Sequence, residues 1–199
     1  MRATVHLVRH GEVENPKGII YGRLPGFHLS ERGQRQAEAA ADRLAERNVS
    51  AVWASPLERA QQTAKAIAAR HELELVTDER LLESDSSHLQ GLGRRAVDIL
   101  LSPRSWWHLR NPLRPSWGES FSDIRIRMLG AINDAIDSNP GNEVVVVSHQ
   151  TPVIVARLSL AKSRMPPWIG VTPCHTGSVT TLELEDGVVL SASYFSPAV

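Results

Sequence analysis

Residues 143–149 read Glu-Val-Val-Val-Val-Ser-His and place four consecutive valines directly ahead of a polar pair. A strand with one face in water alternates apolar and polar residues, whereas a strand that is covered on both faces is apolar at successive positions. The valine run therefore predicts a central strand in a mostly parallel sheet with helices on both faces. This arrangement is the three-layer α/β/α sandwich.

The segments on either side of the valine run alternate between strand and helix patterns. Asp186-Gly187 is a strong hairpin signal and lies between two short apolar segments near the end of the chain. The further strands are predicted at residues 4–8, 51–54, 73–76, 178–184 and 188–194. The sequence thus predicts an α/β fold that ends in a hairpin.

Helix starts are marked by serines that can act as N-caps. Ser30 precedes apolar positions at helical spacing, and an amphipathic pattern over residues 121–136 predicts another helix. Ser55-Pro56-Leu57-Glu58 resembles a capping box, with Ser55 as N-cap, proline at the first helical position and Glu58 three residues after the cap. We therefore expect a helix to begin immediately after Ser55.

Composition narrows the class of protein. The 199 residues carry 22 Lys+Arg and 22 Asp+Glu, which fits a single domain over residues 1–199 and gives no electrostatic reason to expect a nucleic-acid partner. No apolar run is long enough to span a membrane, and residues 1–10 lack the apolar stretch of a signal peptide. The single Cys174 cannot form an internal disulfide. A cytoplasmic protein is expected, and the sequence leaves a homodimer open.

Residues 84–118 interrupt the alternation and predict an irregular or helical cap insertion. The segment is rich in proline and tryptophan and carries an excess of positive charge. Two interpretations fit: a solvated cationic face packed on tryptophans, or a cap that attracts a polyanionic phosphorylated metabolite. Its positively charged residues are Arg94, Arg95, Arg104, Arg110 and Arg114, and its negatively charged residues are Asp85 and Asp98.

Polar side chains follow several of the predicted strands, at the edge of the sheet where ligands bind in open α/β folds. Arginine offers a planar fork that matches phosphate oxygens. A neutral imidazole can accept a phosphoryl group, and a carboxylic acid can protonate the departing alcohol. Together, these side chains predict a site for a phosphate monoester. The residues of the predicted site are Arg9, His10, Arg59, Glu83 and His149.

Metal-dependent chemistry fits the sequence less well. The Asp-x-Asp pattern, which is typical of the carboxylate clusters that bind metals, does not occur in the chain. His6 and His10 are four residues apart on a predicted strand, which separates them by about 13 Å, too far to share one ion. We therefore expect neither a metal nor another cofactor.

Three motifs, in order along the chain, resemble the histidine phosphatase superfamily, which includes the cofactor-dependent phosphoglycerate mutases. They are Leu7-Val8-Arg9-His10-Gly11-Glu12, Ser55-Pro56-Leu57-Glu58-Arg59-Ala60-Gln61-Gln62-Thr63-Ala64 and Val147-Ser148-His149. The resemblance implies that His10 is transiently phosphorylated without a metal. It further implies that Arg9, Arg59 and His149 hold the phosphoryl group and that Glu83 is the proton donor.

The sequence departs from the family pattern at two places. Many members carry an asparagine six residues after the histidine; here that position is Pro16 and Asn15 stands one residue early, which leaves Asn15 as a candidate phosphate contact. Ser84-Asp85-Ser86 stands where the mutases have Arg-His-Tyr, the groups that would grip phosphoglycerate.

These departures favour hydrolysis of the phosphoryl group over its transfer within or between substrates. We expect a metal-independent phosphomonoesterase of the histidine acid phosphatase type that acts on a small phosphorylated metabolite, with an acidic to neutral optimum. The alternatives are a phosphoglycerate mutase-type phosphoryl transfer and a non-enzymatic phosphate-binding module.

Overall fold

A computed structural model describes residues 2–85, 89–93, 118–165 and 172–199. The strands are β1 (Arg2–Arg9), β2 (Val49–Ala54), β3 (Leu75–Thr77), β4 (Glu143–Ser148), β5 (Val179–Glu185) and β6 (Val188–Phe195). The helices are α1 (Glu31–Leu44), α2 (Glu58–Arg70), α3 (Phe121–Asp137) and α4 (Gln150–Leu160), together with a short 3₁₀ turn at Glu79–Leu81. Within these ranges no helix combines the length and the apolarity that a membrane span requires.

The six strands form one mixed sheet in the order β3-β2-β4-β1-β5-β6. The strands β3, β2, β4 and β1 are parallel, and β5 and β6 add an antiparallel hairpin at the side of β1. Asp186 and Gly187 both have positive φ at the hairpin turn, as the sequence predicts. The valine-rich β4 lies between β2 and β1, and this position covers both of its edges.

The valines of β4 divide between two apolar layers. Val144 and Val146 pack with α3 and α4, whereas Val145 and Val147 pack with α1 and α2 on the opposite face. All four valines are fully buried. The predicted three-layer sandwich is therefore confirmed, and the valine run is apolar at every position because each face of the sheet carries a helical layer.

The predicted helix starts have different outcomes. The Ser30 hydroxyl accepts a hydrogen bond from the Gly33 amide, so the predicted N-cap of α1 is confirmed. The capping prediction at Ser55 is wrong, because α2 begins at Glu58 with Leu57 at the N-cap and no side-chain cap bond. The Ser55 hydroxyl contacts a histidine ring instead.

Two other elements differ from expectation. The third strand is shorter and later than predicted, at Leu75–Thr77, because only these residues pair with β2. The helix α4 was not predicted; it follows His149 directly, and its apolar residues Val153, Ile154 and Val155 are buried against the sheet.

A close backbone contact fixes the loop that follows β1. A Cβ atom on Gly11 would collide with the Gly33 carbonyl, and one on Gly33 would collide with the carbonyl of Glu12. The first turn of α1 therefore packs directly on the residues after His10. Glycine at position 11 is explained by this backbone approach.

Most of the predicted cap insertion lies outside the described residues. Arg94, Arg95, Arg104, Arg110, Arg114 and Asp98 are all in the part that is not described, whereas Asp85 lies in the described part.

Candidate active site

His10 stands immediately after β1 and is almost fully buried, with 2% of its surface exposed. Its Nδ1 lies 2.7 Å from the carbonyl oxygen of Gly11. A carbonyl can only accept, so Nδ1 must carry the ring proton and Nε2 keeps its lone pair. The backbone thereby selects the tautomer that a nucleophilic imidazole needs.

His149 follows β4 and meets His10 across the edge of the sheet. The two ring centroids are 5.0 Å apart with an angle of 61° between the planes. The Nε2 atom of His149 lies 2.8 Å from the hydroxyl oxygen of Ser55, which itself accepts a long 3.4 Å bond from the Leu57 amide. If the Ser55 hydroxyl donates to Nε2, the proton of His149 lies on Nδ1, which is buried without a partner among the described residues.

Two arginines bring positive charge to the same place. Arg9 Nη1 donates to the Cys174 carbonyl at 2.6 Å, and Arg59 Nη2 donates to the Gly22 carbonyl at 2.6 Å. Arg59 has no exposed surface. Arg9 Nε and both Nε and Nη1 of Arg59 are buried without hydrogen-bond partners in the described part of the chain. A buried donor without a partner is costly, so this set is suited to an oxyanion that would supply the missing acceptors.

The pKa values of both histidines lie well below their ordinary value. Burial is the largest cause for His10, followed by the positive charges of Arg59 and Arg9. Burial is also the largest cause for His149, followed by His10 and Arg59. Both rings are therefore neutral at neutral pH, which keeps the Nε2 lone pair of His10 available.

Glu83 lies on a half-buried segment between the 3₁₀ turn and the insertion. The Ser148 hydroxyl donates to the Leu81 carbonyl at 2.7 Å, and Arg23 Nε donates to the Glu83 carbonyl at 2.7 Å. The Glu83 carboxylate accepts from the amide and hydroxyl of Ser84 and interacts electrostatically with Arg59. The segment is thus tied to the end of β4 and to the loop after β1, and it brings the carboxylate toward the cationic cluster.

Asn15 is engaged within its own loop. Its side-chain Nδ2 donates to the Ile19 carbonyl, and its Oδ1 accepts from the Ile19 amide. Both ends of the amide are therefore used four residues along the chain. A phosphate contact from Asn15 stays a prediction and would require these two bonds to be exchanged.

The structure adds residues that the sequence analysis did not assign to the site. Ser55 reads as a helix cap in sequence but contacts His149. Thr63 accepts from the Gly11 amide and donates to the Arg59 carbonyl, which links the His10 loop to α2. Tyr21 places its ring against the Arg59 guanidinium, 4.8 Å from Cζ to the ring centroid. Ser55 and Thr63 lie within the quoted second motif, whereas no local pattern marks Tyr21.

In the described ranges, no group of three or more His, Cys, Asp or Glu side chains is arranged as a metal site. The chemical content of the edge is instead one nucleophilic nitrogen beside several hydrogen-bond donors and a net positive charge. Such a site can bind a phosphoryl group and attack it.

Comparisons with known proteins agree with this geometry. A family model described as "Histidine phosphatase superfamily (branch 1)" matches residues 5–194. An uncharacterized protein of Mycobacterium tuberculosis is 49% identical over 197 residues, which is 98% of this chain and 96% of that protein. A probable phosphoglycerate mutase of Cronobacter sakazakii is 36% identical over 151 residues, which is 73% of this chain and 68% of that protein. Among solved structures, a mycobacterial glucosyl-3-phosphoglycerate phosphatase superposes with a TM-score of 0.77 at 26% identity and covers 98% of both chains.

Proposed function

Because the chain belongs to the histidine phosphatase superfamily, we propose that it hydrolyses a small phosphomonoester through a phosphohistidine formed on His10. The superfamily and the phosphatases and mutases among its relatives support a phosphatase-type hydrolase. The observation that carries the proposal is the combination of a free lone pair on His10 Nε2 with four buried nitrogen atoms, on Arg9, Arg59 and His149, that have no hydrogen-bond partner among the described residues.

The first step transfers the phosphoryl group to the enzyme. The donors of Arg9, Arg59 and His149 hold the equatorial oxygens, and the His10 Nε2 lone pair attacks phosphorus in line with the leaving oxygen. The P–O bond to the alcohol breaks as the P–N bond forms. Glu83, as a carboxylic acid, gives its proton to the departing alkoxide.

The second step returns the free enzyme. Water attacks the phosphorus of phospho-His10 while the Glu83 carboxylate accepts one of its protons. The P–N bond breaks, the electron pair returns to Nε2, and inorganic phosphate leaves. The proton stays on Nδ1, which donates it to the Gly11 carbonyl in a hydrogen bond throughout, so the ring needs no change of tautomer between turnovers.

Trapping the intermediate tests the proposal. The protein is incubated with p-nitrophenyl phosphate in the presence of EDTA, quenched, and assayed for protein-bound phosphoryl groups. We expect an acid-labile, alkali-stable phosphoenzyme that His10→Ala does not form. His6→Ala is a matched control because His6 is also buried on β1 but lies away from the cationic cluster. Turnover that EDTA abolishes, or a phosphoenzyme that survives in His10→Ala, would refute the mechanism.

A mutase is the second candidate, and the 36% identity to a probable phosphoglycerate mutase favours keeping it. The Ser84-Asp85-Ser86 stretch argues for hydrolysis, because it lacks the cationic and phenolic groups of the mutases. Stimulation by a bisphosphorylated primer, with phosphate moved between carbons of phosphoglycerate and not released, would establish the mutase. Release of inorganic phosphate without a primer supports the phosphatase.

A further inference from the structure

The loop between β1 and α1 holds an aromatic pair beside the phosphate site. The rings of Tyr21 and Phe27 are stacked, with centroids 5.0 Å apart and 27° between the planes. Both side chains are half-buried. The Arg59 guanidinium lies over the Tyr21 ring, well inside the distance of about 6 Å at which a cation is attracted to an aromatic face.

The neighbouring backbone contacts the same guanidinium. The carbonyl of Gly22, one residue after Tyr21, accepts from Arg59 Nη2 at 2.6 Å. A guanidinium is planar and rigid, so one contact on its face and one on its edge restrict both its tilt and its rotation. The nitrogen atoms Nε and Nη1 have no hydrogen-bond partner within the described ranges, and their direction is set by these two contacts.

The loop is itself anchored to the helix that carries Arg59. Glu58 Oε1 accepts from the Gly26 amide at 3.0 Å, and Gln62 Oε1 accepts from the Leu29 amide at 2.8 Å. These two bonds and the Gly22–Arg59 bond join the loop to one face of α2. The aromatic pair therefore has a fixed position relative to Arg59, with Phe27 supporting Tyr21.

We propose that Tyr21, backed by Phe27, is a positioning residue that orients the Arg59 guanidinium for the phosphoryl group. This inference rests on the proposed function, since it gives Tyr21 a part in phosphate binding through Arg59. Without the ring, Arg59 keeps its charge but loses the contact that holds its plane. The bound phosphate then has to order the guanidinium, and affinity falls.

The test measures binding of inorganic phosphate by calorimetry and kcat/KM for p-nitrophenyl phosphate. The cation–π contact is lost in Tyr21→Leu, and we expect this variant to weaken phosphate binding about tenfold, which corresponds to about 1.4 kcal/mol. Tyr21→Phe and Tyr21→Trp keep an aromatic face and should stay within about twofold of the parent protein. Phe27→Leu should have a smaller effect than Tyr21→Leu.

A matched control is available at a second cation–π contact. Arg43 Cζ lies 5.8 Å from the centroid of the Phe195 ring, and neither residue belongs to the candidate active site. Phe195→Leu removes the same kind of contact and should leave phosphate affinity unchanged. The Tm of each variant is measured in parallel, which separates a loss of folded protein from a loss of affinity.

A double-mutant cycle shows whether Tyr21 acts through Arg59. Tyr21→Leu should lower kcat/KM about tenfold in the parent protein and less than twofold in an Arg59→Ala background. Equal losses in both backgrounds would overturn the proposal. A loss in Tyr21→Phe as large as in Tyr21→Leu would also overturn it, because the hydroxyl and not the ring would then be responsible.

Failure of this inference and failure of the proposed function have different signatures. If the parent protein neither binds phosphate nor forms a phosphoenzyme, the proposed function fails. If the parent protein does both and Arg59→Ala impairs them while Tyr21→Leu does not, only the role of Tyr21 is rejected.

Discussion

Two polar clusters, each built around a buried histidine, lie on β1 and just beyond its end, and they differ in how their charges are compensated. In the first, His6 has both ring nitrogens bonded: Nε2 lies 2.7 Å from the carboxylate of Glu143, and Nδ1 lies 2.9 Å from the Thr181 hydroxyl. Arg47 donates to the same Glu143 oxygen at 2.8 Å. This closed cluster of His6, Glu143, Thr181 and Arg47 satisfies its own members.

In the second cluster, His10 and His149 share their surroundings with Arg9 and Arg59, and no carboxylate forms an ion pair with either arginine in the part of the chain that the structure describes. We refer to these four residues as the open cluster. The closed cluster contains its own anion, whereas the open cluster has two guanidinium groups and no carboxylate, with Glu83 acting on Arg59 from outside it. Burial is common to His6 and His10; what distinguishes His10 in the described part of the chain is the set of unused nitrogen atoms around it and the lack of an ion pair to either arginine.

The largest expected contrast is between His6, within β1, and His10, immediately after it. We expect His10→Ala to lower kcat/KM for p-nitrophenyl phosphate by about 10⁴-fold or more, since the nucleophile is lost. His6→Ala should stay within about threefold, because the ring does not contact the open cluster. Steady-state kinetics on both variants checks this, and comparable losses would show that the two clusters are not functionally distinct.

The arginines give the next contrast. Arg59→Lys keeps the positive charge but loses the planar fork, and we expect phosphate affinity to fall about 10- to 100-fold. Arg47→Lys is the matched change in the closed cluster and should alter affinity less than twofold. Calorimetric titration with inorganic phosphate measures the affinity of both variants. A strong effect of Arg47→Lys would contradict the distinction between the closed and the open cluster.

The free energy of unfolding should show the reverse order, with the larger loss in His6→Ala and the smaller loss in His10→Ala. His6→Ala leaves the Thr181 hydroxyl without its partner and opens a cavity, so we expect a loss of about 2–4 kcal/mol in the free energy of unfolding. The His10 ring makes one hydrogen bond where the His6 ring makes two, so His10→Ala should cost less. Urea denaturation of the two variants, without phosphate, makes the comparison, and equal losses would argue against it.

The smallest expected effect concerns protonation. Arg59 is one cause of the lowered pKa of His10, so removing its charge in Arg59→Gln should raise that pKa. The pKa of His6 is lowered mainly by burial, and Glu143 opposes the shift, so it should not respond. Histidine NMR titrations follow both rings. A lower pKa of His10 in Arg59→Gln would contradict the charge of Arg59 as a cause of the shift.

The same shifts give a sign for stability against pH. A histidine whose pKa is lowered by folding binds fewer protons in the folded than in the unfolded state, in the range from its lowered pKa up to about 6.5. Stability is therefore expected to fall as the pH drops below about 6.5. Bound phosphate should reduce this loss because its negative charge favours protonated imidazole in the folded state. Thermal unfolding with and without phosphate at several pH values tests the expectation.

Much of the fold was determined by the sequence alone. The four valines of β4 predicted a strand with both faces covered, and the helical layers confirm it. Ser30 and the Asp186-Gly187 turn were also predicted correctly, because capping and tight turns depend on neighbouring residues. The convergence of His10, His149, Arg9 and Arg59 was predicted, because strand ends in a parallel sheet share one edge.

Only the tertiary structure decided which partner each polar group has. Ser55 satisfies the local rule for a helix cap, yet its hydroxyl contacts a histidine 94 positions further along the chain. Tyr21 carries no local signal, since its effect comes from a guanidinium on another element. The first motif marks His10 and not His6, but the groups that folding brings to the nitrogens of each ring cannot be read from the sequence. Backbone periodicity is a local property and can be read from the chain, whereas hydrogen-bond partners and compensating charges are set by contacts between distant segments.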